Sequence, residues 1–289
     1  MSAQILDGLE LSKIVREEVR VRTEALRARG VVPRLEAVVA AQDPASLAYV
    51  RMKRKWCEKA GIESGVFEAD ASTTQEALMA HIAALNADPA VHGVLIQHPL
   101  PPHLDEPKAL EALGPEKDVD GITSQSAGRL VCDLPGFRCA TPMGIMRILD
   151  HYKIPLEGRH AVVVGRSVIL GKPAALMLLQ KHATVTIAHS RTQDLPALCR
   201  TADVLVAAVG RAEMIRGEWL KPGAVVIDAG YNKVEGRQGD VGDVHFESAS
   251  EVASWITPVP GGVGPMTVAS LLANTIEAAE LVGMSLATC

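Results

Sequence analysis

The stretch VVVGRSVILGKP, residues 162–173, decides the fold. A short apolar run meets Gly165, a second glycine follows at Gly171, and a helix-forming segment begins there. Strand, glycine turn and helix start in this order let a backbone approach a pyrophosphate and aim a helix N-terminus at it. The spacing is not G-x-G-x-x-G, so an ordinary turn that needs two glycines stays open beside the dinucleotide reading.

Outward from this unit the same alternation continues. HAVVVG (160–165), TVTIAH (184–189), ADVLVAAVG (202–210) and GAVVIDAG (223–230) are almost wholly apolar, as expected of parallel strands covered on both faces. GKPAALMLLQKH (171–182) and PMTVASLLANTIEAAELV (265–282) read as helices. Upstream, an amphipathic helix over 11–30 precedes the strand RLEAVVA (34–40). A helix over 43–61 opens on an Asp N-cap and Pro and closes at Gly61. SGVFEAD, TTQEALMAHIAALN and VHGVLIQ (91–97) add strand, helix and strand. The pattern breaks at HPLPPHLDEP and across 114–142, a glycine- and proline-punctuated stretch with weak periodicity, and a domain boundary is expected near its end. The class is α/β, two domains built on parallel sheets.

Bulk composition narrows the function. With 289 residues, 48% hydrophobic and 22% charged, the chain has the makeup of a globular protein with room for two cores. A net charge of −5 opposes bulk binding to nucleic acid. The five cysteines, Cys57, Cys132, Cys139, Cys199 and Cys289, are odd in number, widely spaced and without C-x-x-C. Reduced thiols in a cytoplasmic protein are expected, with neither a disulfide framework nor a metal site. The opening MSAQILDGLELSK has no basic segment followed by an apolar one, so no secretory signal is expected. No apolar run approaches a membrane span of roughly 20 residues.

Two regions offer chemistry. After the strand that ends near residue 188, an NAD site would place a carboxylate on the ribose 2′-hydroxyl. Here the residues are His189, Ser190, Arg191 and Thr192, and Arg166 and Ser167 lie in the glycine turn. A cation with hydroxyls suits a 2′-phosphate, so NADP is expected over NAD. ITPVPGGVGPMT (256–267) is dense in glycine, and Pro265 fits the first turn of the last helix; a tight crossover and a backbone wall against a flat ligand are both compatible with it. In the first half, YVRMKRKW (49–56) puts Tyr49 and Lys53 on one helix face, with Arg51, Arg54 and Lys55 elsewhere. A lysine serves as acid or base near neutrality when its pKa falls to roughly 7–8. Gln97 ends a strand, where α/β folds place ligands, and Asp118 and Asp120 lie in KDVDG. A fixed carboxylate there could accept two N–H bonds from a heterocycle, or could form a turn.

Six motifs in order carry a resemblance over essentially the whole chain: ASLAYVRMKRKWCEKAGI, GVLIQHPLPPH, PEKDVDG, GRSVILGKP, HSRT and TPVPGGVGPMTVA. Together they resemble the methylenetetrahydrofolate dehydrogenase/cyclohydrolase family. The resemblance implies a folate-binding domain over 1–140, completed by a last helix over 268–289, and a Rossmann-like NADP-binding domain over 141–267. It places the active site in the cleft between them and implies a homodimer acting on one-carbon tetrahydrofolate derivatives. By matching motifs, Lys53 is the catalytic lysine with Tyr49 and Gln97 beside it. The resemblance further implies that Asp120 binds the pterin. Gly264, Pro265 and Thr267 lie near the ligands. Gly165, Arg166, Ser167, Gly171, His189, Ser190 and Thr192 hold NADP, with Arg166 and Ser190 at the 2′-phosphate. Without a long C-terminal extension in the sequence, an attached formate-tetrahydrofolate ligase domain is not expected. The chain departs from the family pattern at Ser126, Cys139, Ala229 and Tyr231. Rival readings are a dehydrogenase with a shikimate dehydrogenase-like plan, a dehydrogenase without hydrolase activity, and a non-catalytic folate- or nucleotide-sensing module.

Overall fold

The computed structural model describes residues 2–236 and 239–287. Its elements, in chain order, begin with β1 (Gln4–Ile5), α1 (Gly8–Ala28), β2 (Arg34–Ala40), α2 (Pro44–Lys59), β3 (Glu63–Ala69), α3 (Gln75–Ala87) and β4 (Gly93–Ile96). Then come α4 (Glu106–Glu111), α5 (Ser124–Val131), α6 (Ala140–His151), β5 (His160–Val164), α7 (Gly171–Gln180), β6 (Thr184–Ala188), α8 (Leu195–Cys199) and β7 (Val204–Ala207). The last are β8 (Val225–Asp228), β9 (Asn232–Lys233), β10 (Asp240–Val241), α9 (Phe246–Ser250), β11 (Trp255–Ile256) and α10 (Val263–Ala287).

The chain divides into two compact units. One comprises Ile14–Ala140 and the chain from Ser270 onward. Its sheet has the order β3-β2-β4, all parallel, with Ala37 of β2 opposite Val66 and Leu95. Side chains of β2 face a core on each side: Leu35, Ala37 and Val39 join Leu26, Cys57 and Ile276, while Val38 joins Leu78, Ile82 and Ile96. That double burial explains the apolar run from Ala37 to Ala40 at the end of β2; Glu36, the charged residue before it, is paired with Arg34.

The other unit comprises the chain up to Lys13 together with Thr141–Ala269. Its six-stranded sheet has the order β1-β11-β8-β7-β5-β6, and every pairing is parallel. The chain runs from β5 outward to β6 and returns to β7 on the other side of β5. This reversal of direction puts a topological switch point at the C-terminal end of β5, where such sheets bind ligands. Val162, Val164, Leu205, Val226 and Ile256 form its core.

Several elements differ from expectation. β1 joins the second sheet through Gln4 opposite Trp255, although residues 1–140 were expected to form one domain. Two exposed residues carry no periodicity that could have announced this strand. The supposedly irregular 114–142 contains α5, capped by the Thr123 hydroxyl, which accepts from Ser126 N–H. α5 buries only Ser126 and Leu130, too few apolar positions for a visible helical period. Among the described residues no helix is long and apolar enough to cross a membrane, and Cys57, Cys132, Cys139 and Cys199 are free thiols. Cys289 lies outside the described residues.

Candidate active site

Helix α2 buries a stripe of Ser46, Val50, Lys53 and Cys57, continued just past its end by Ala60, spaced as a helix requires. Lys53 occupies a place on that stripe where an apolar residue would ordinarily stand, and it is only 5% exposed. Arg51, Arg54 and Lys55 are exposed on the other face, as the spacing predicts. The Lys53 Nζ donates to Gln97 Oε1 at 3.1 Å. Gln97 follows β4; its Nε2 donates to His98 O at 3.1 Å, which turns Oε1 toward the lysine. The ammonium also stands 4.3 Å from the centre of the Tyr49 ring, in cation–π range. Burial pushes the Lys53 pKa down; the Asp120 carboxylate, and Cys57 one turn further on, pull it back up. Asp120 is pushed the other way, upward by burial, with Lys53 opposing and Asp118 adding to the rise. The group is a desolvated amine beside a desolvated carboxyl, and in each burial disfavours the charged form.

The two aspartates of KDVDG have different work. Asp118 is fully buried and its carboxylate accepts from Ile122 N–H at 3.1 Å, Thr123 N–H at 3.0 Å and Ser126 Oγ at 2.6 Å. It builds the turn. Asp120 receives no hydrogen bond from a described side chain, which leaves its oxygens for a ligand. Two departures from the family pattern are absorbed here: Ser126 is the hydroxyl donor to Asp118, and the Cys139 thiol donates to Gly121 O at 2.9 Å.

In the second unit the glycine turn links β5 to α7. Gly165 has φ +144°, and an added Cβ would lie 2.3 Å from Ala208 O. A Cβ on Gly171 would lie 2.3 Å from Gly165 O. Both glycines are required by close backbone approach. Arg166, Ser167, Val168 and Ile169 are exposed along the rim, and Ser167 Oγ accepts from Gly171 N–H at 3.3 Å. β6 runs parallel to β5 with Ala188 opposite Val164, so His189–Thr192 and Arg166 leave the same sheet edge. Within that segment His189 and Thr192 shape the loop: Thr192 Oγ1 accepts from His189 N–H at 2.9 Å, and His189 Nδ1 accepts from Arg191 N–H at 3.1 Å. Ser190 and Arg191 remain exposed. A glycine cradle that a Cβ would fill, with an exposed guanidinium and hydroxyl at its edge and no carboxylate from His189 through Gln193, fits a dinucleotide bearing a 2′-phosphate.

The glycines of the 256–267 motif are not equivalent. Gly261 has φ +108°, and a Cβ on Gly262 would lie 2.5 Å from Pro258 O. At Gly264 it would meet nothing within 4 Å. Pro265 and Thr267 occupy the first turns of α10, and Thr267 Oγ1 lies 3.0 Å from Thr141 Oγ1. These three residues belong to the unit of the glycine turn, not to that of Lys53. Of the other departures, Ala229 continues the backbone pairing by donating to Ala207 O at 2.9 Å, and Tyr231 is exposed with its hydroxyl on Asp240.

A switch-point glycine cradle in one parallel-sheet unit and a buried lysine–carboxyl group in the other define a two-unit nucleotide-binding α/β enzyme. Comparison with known proteins specifies it further. The family described as "Tetrahydrofolate dehydrogenase/cyclohydrolase, catalytic domain" matches residues 6–120, and "Tetrahydrofolate dehydrogenase/cyclohydrolase, NAD(P)-binding domain" matches residues 139–282. The chain belongs to this family. It is 54% identical to the bifunctional protein FolD of Moorella thermoacetica, covering 97% of this chain and 100% of that one. The crystal structure of the bifunctional methylenetetrahydrofolate dehydrogenase/cyclohydrolase of Campylobacter jejuni superposes with a TM-score of 0.95 at 42% identity, covering 97% of this chain and 99% of that one. The Trypanosoma brucei dehydrogenase-cyclohydrolase, complexed with NADP cofactor and inhibitor, gives a TM-score of 0.91 at 37% identity, covering 97% and 98%.

Proposed function

We propose that this chain oxidises 5,10-methylenetetrahydrofolate to 5,10-methenyltetrahydrofolate with NADP and then hydrolyses the product to 10-formyltetrahydrofolate. The observation that carries this reading is the buried Lys53, hydrogen-bonded to Gln97 and electrostatically coupled to Asp120, in a chain matched by the family in both halves.

NADP held in the second unit would supply the hydride acceptor for the one-carbon bridge between N5 and N10. The protein's part is alignment. Gly165 and Gly171 admit the pyrophosphate, and Arg166 with Ser190 receive the 2′-phosphate. His189, Thr192 and Ser167 hold the loops that carry these groups. Gly264, Pro265 and Thr267 line the ligands.

Hydrolysis needs one group that takes and returns a proton. Water attacks the electrophilic carbon of the methenyl bridge, and neutral Lys53 takes a proton from it. The carbon–N5 bond then breaks as the Lys53 ammonium protonates N5, the carbon–oxygen double bond forms, and the hydroxyl proton leaves to solvent. Burial keeps the lysine able to lose its proton, and Gln97 and Tyr49 orient it. Asp120 accepts N–H bonds from the pterin ring.

The departures from the family pattern support the reading, since Ser126 and Cys139 both reinforce the turn that carries Asp120. The same family likeness supports a homodimer, and the four free thiols support a cytoplasmic setting. A spectrophotometric assay with methylenetetrahydrofolate tests the function. Reduction of NADP followed by decay of the methenyl product is expected; no reduction of either nicotinamide cofactor overturns it.

A further inference from the structure

Asn274 interrupts the apolar run of α10 and is 1% exposed. Its Nδ2 donates to Val119 O at 2.7 Å and to Arg138 O at 3.1 Å. The Val119 carbonyl belongs to the peptide plane from which Asp120 begins. The Arg138 carbonyl belongs to the segment against which the turn is pressed: a Cβ on Gly121, at φ +66°, would lie 2.4 Å from Arg138 C. From the far side of that contact the Cys139 thiol holds Gly121 O. Asp118 closes the remaining side through Ile122, Thr123 and Ser126. The turn is tied by its backbone at each of these points, while among the described residues no donor reaches the Asp120 carboxylate. A buried amide spending both protons on two carbonyls is costly to replace, since each would be orphaned.

We propose that Asn274 is a positioning residue of the folate site: it fixes the Val119–Asp120 peptide so that the Asp120 carboxylate meets the pterin. This rests on the reading of Asp120 as the folate-binding carboxylate. It predicts a defect specific to folate rather than a general loss of stability.

The test compares Asn274→Ala with Thr275→Val and Asp120→Ala in the full chain. Thr275 is as buried, and among the described residues its hydroxyl donates to Leu271 O of its own helix, so Thr275→Val lowers stability without touching the turn. Asn274→Ala is expected to raise the KM for methylenetetrahydrofolate about tenfold, as loss of roughly one buried hydrogen bond implies, with the KM for NADP unchanged. It is also expected to move the acid limb of the cyclohydrolase pH profile downward, because Asp120 no longer supports the Lys53 charge in place. A folded Asn274→Ala protein with the folate KM of the Thr275→Val control overturns the assignment. If Asp120→Ala leaves folate binding intact, the reading of Asp120 fails instead; if Asp120→Ala weakens it and Asn274→Ala does not, the positioning role alone fails. Should Asn274→Ala not fold, the side-chain amide resonance of Asn274 in the unaltered protein is followed during titration with tetrahydrofolate. A shift on saturation is expected, and an unmoved resonance overturns the role.

Discussion

Lys53 and Arg166 are both cations assigned to ligands, yet they stand in opposite surroundings. Lys53 lies on the buried stripe of α2, its charge disfavoured by desolvation and supported by Gln97, Tyr49, Asp120 and, one turn on, Cys57. Arg166 stands on an exposed rim above two glycines that a methyl group would displace. The first arrangement suits a group that must exchange a proton, the second a fixed charge that must bind one. Burial therefore separates the chemical task from the recognition task in this chain.

The largest effect should come from removing the exchangeable proton. Lys53→Met is expected to lower cyclohydrolase turnover by about 10²–10⁴-fold, the range of a lost general acid–base. Lys53→Arg sharpens the comparison, since a guanidinium keeps its charge and should be nearly as inactive. Retained hydrolysis by Lys53→Arg would mean that charge, not proton exchange, is what the site needs.

Gly171→Ala addresses the opposite region. Its Cβ has backbone at 2.3 Å and no flexible neighbour to displace. Overpacking of this kind costs about 1–3 kcal/mol, and NADP binding should be lost while supplied methenyltetrahydrofolate is still hydrolysed. Calorimetry with NADP reads the first, and methenyl absorbance reads the second. Arg166→Ala should be milder, raising the KM for NADP by about tenfold, toward the low end for a charged hydrogen bond, with the KM for NAD unmoved. An equal change for both cofactors would remove Arg166 from the 2′-phosphate.

The smallest expected effect is a shift in pH dependence. Lys53 acts as base when neutral, so hydrolysis rises with pH through its lowered pKa. The Asp120 charge raises that pKa, and Asp120→Asn removes the charge. The acid limb of the profile, measured at saturating folate, should then move to lower pH. Movement to higher pH would place the opposite charge on the residue that titrates.

The sheets were legible because β2, β5, β7 and β8 are short apolar runs between helical periods. The glycine turn was legible because close backbone approach admits no other residue at 165 and 171. Lys53 was legible as a lysine on an i,i+4 face with Tyr49; that it is the charged member of a buried stripe took the structure to show. β1 escaped because two exposed residues have no pattern. The turn-building role of Asp118 escaped because both aspartates read alike as turn formers; the family resemblance alone set Asp120 apart, and the donors around Asp118 show what its neighbour's carboxylate does not share. Asn274 left one signal, a carboxamide within LLANTIEAAE, whose partners at 119 and 138 are far away in sequence.

The central claim is that one chain oxidises methylenetetrahydrofolate with NADP and hydrolyses the product through Lys53. Its most direct test is one spectrophotometric experiment on the unaltered and Lys53→Met proteins, with NADP and with NAD, following methenyl formation and decay. The account predicts faster formation with NADP and decay in the unaltered protein, with enzymatic decay slowed about 10²–10⁴-fold after the substitution. Undiminished decay in Lys53→Met would contradict it.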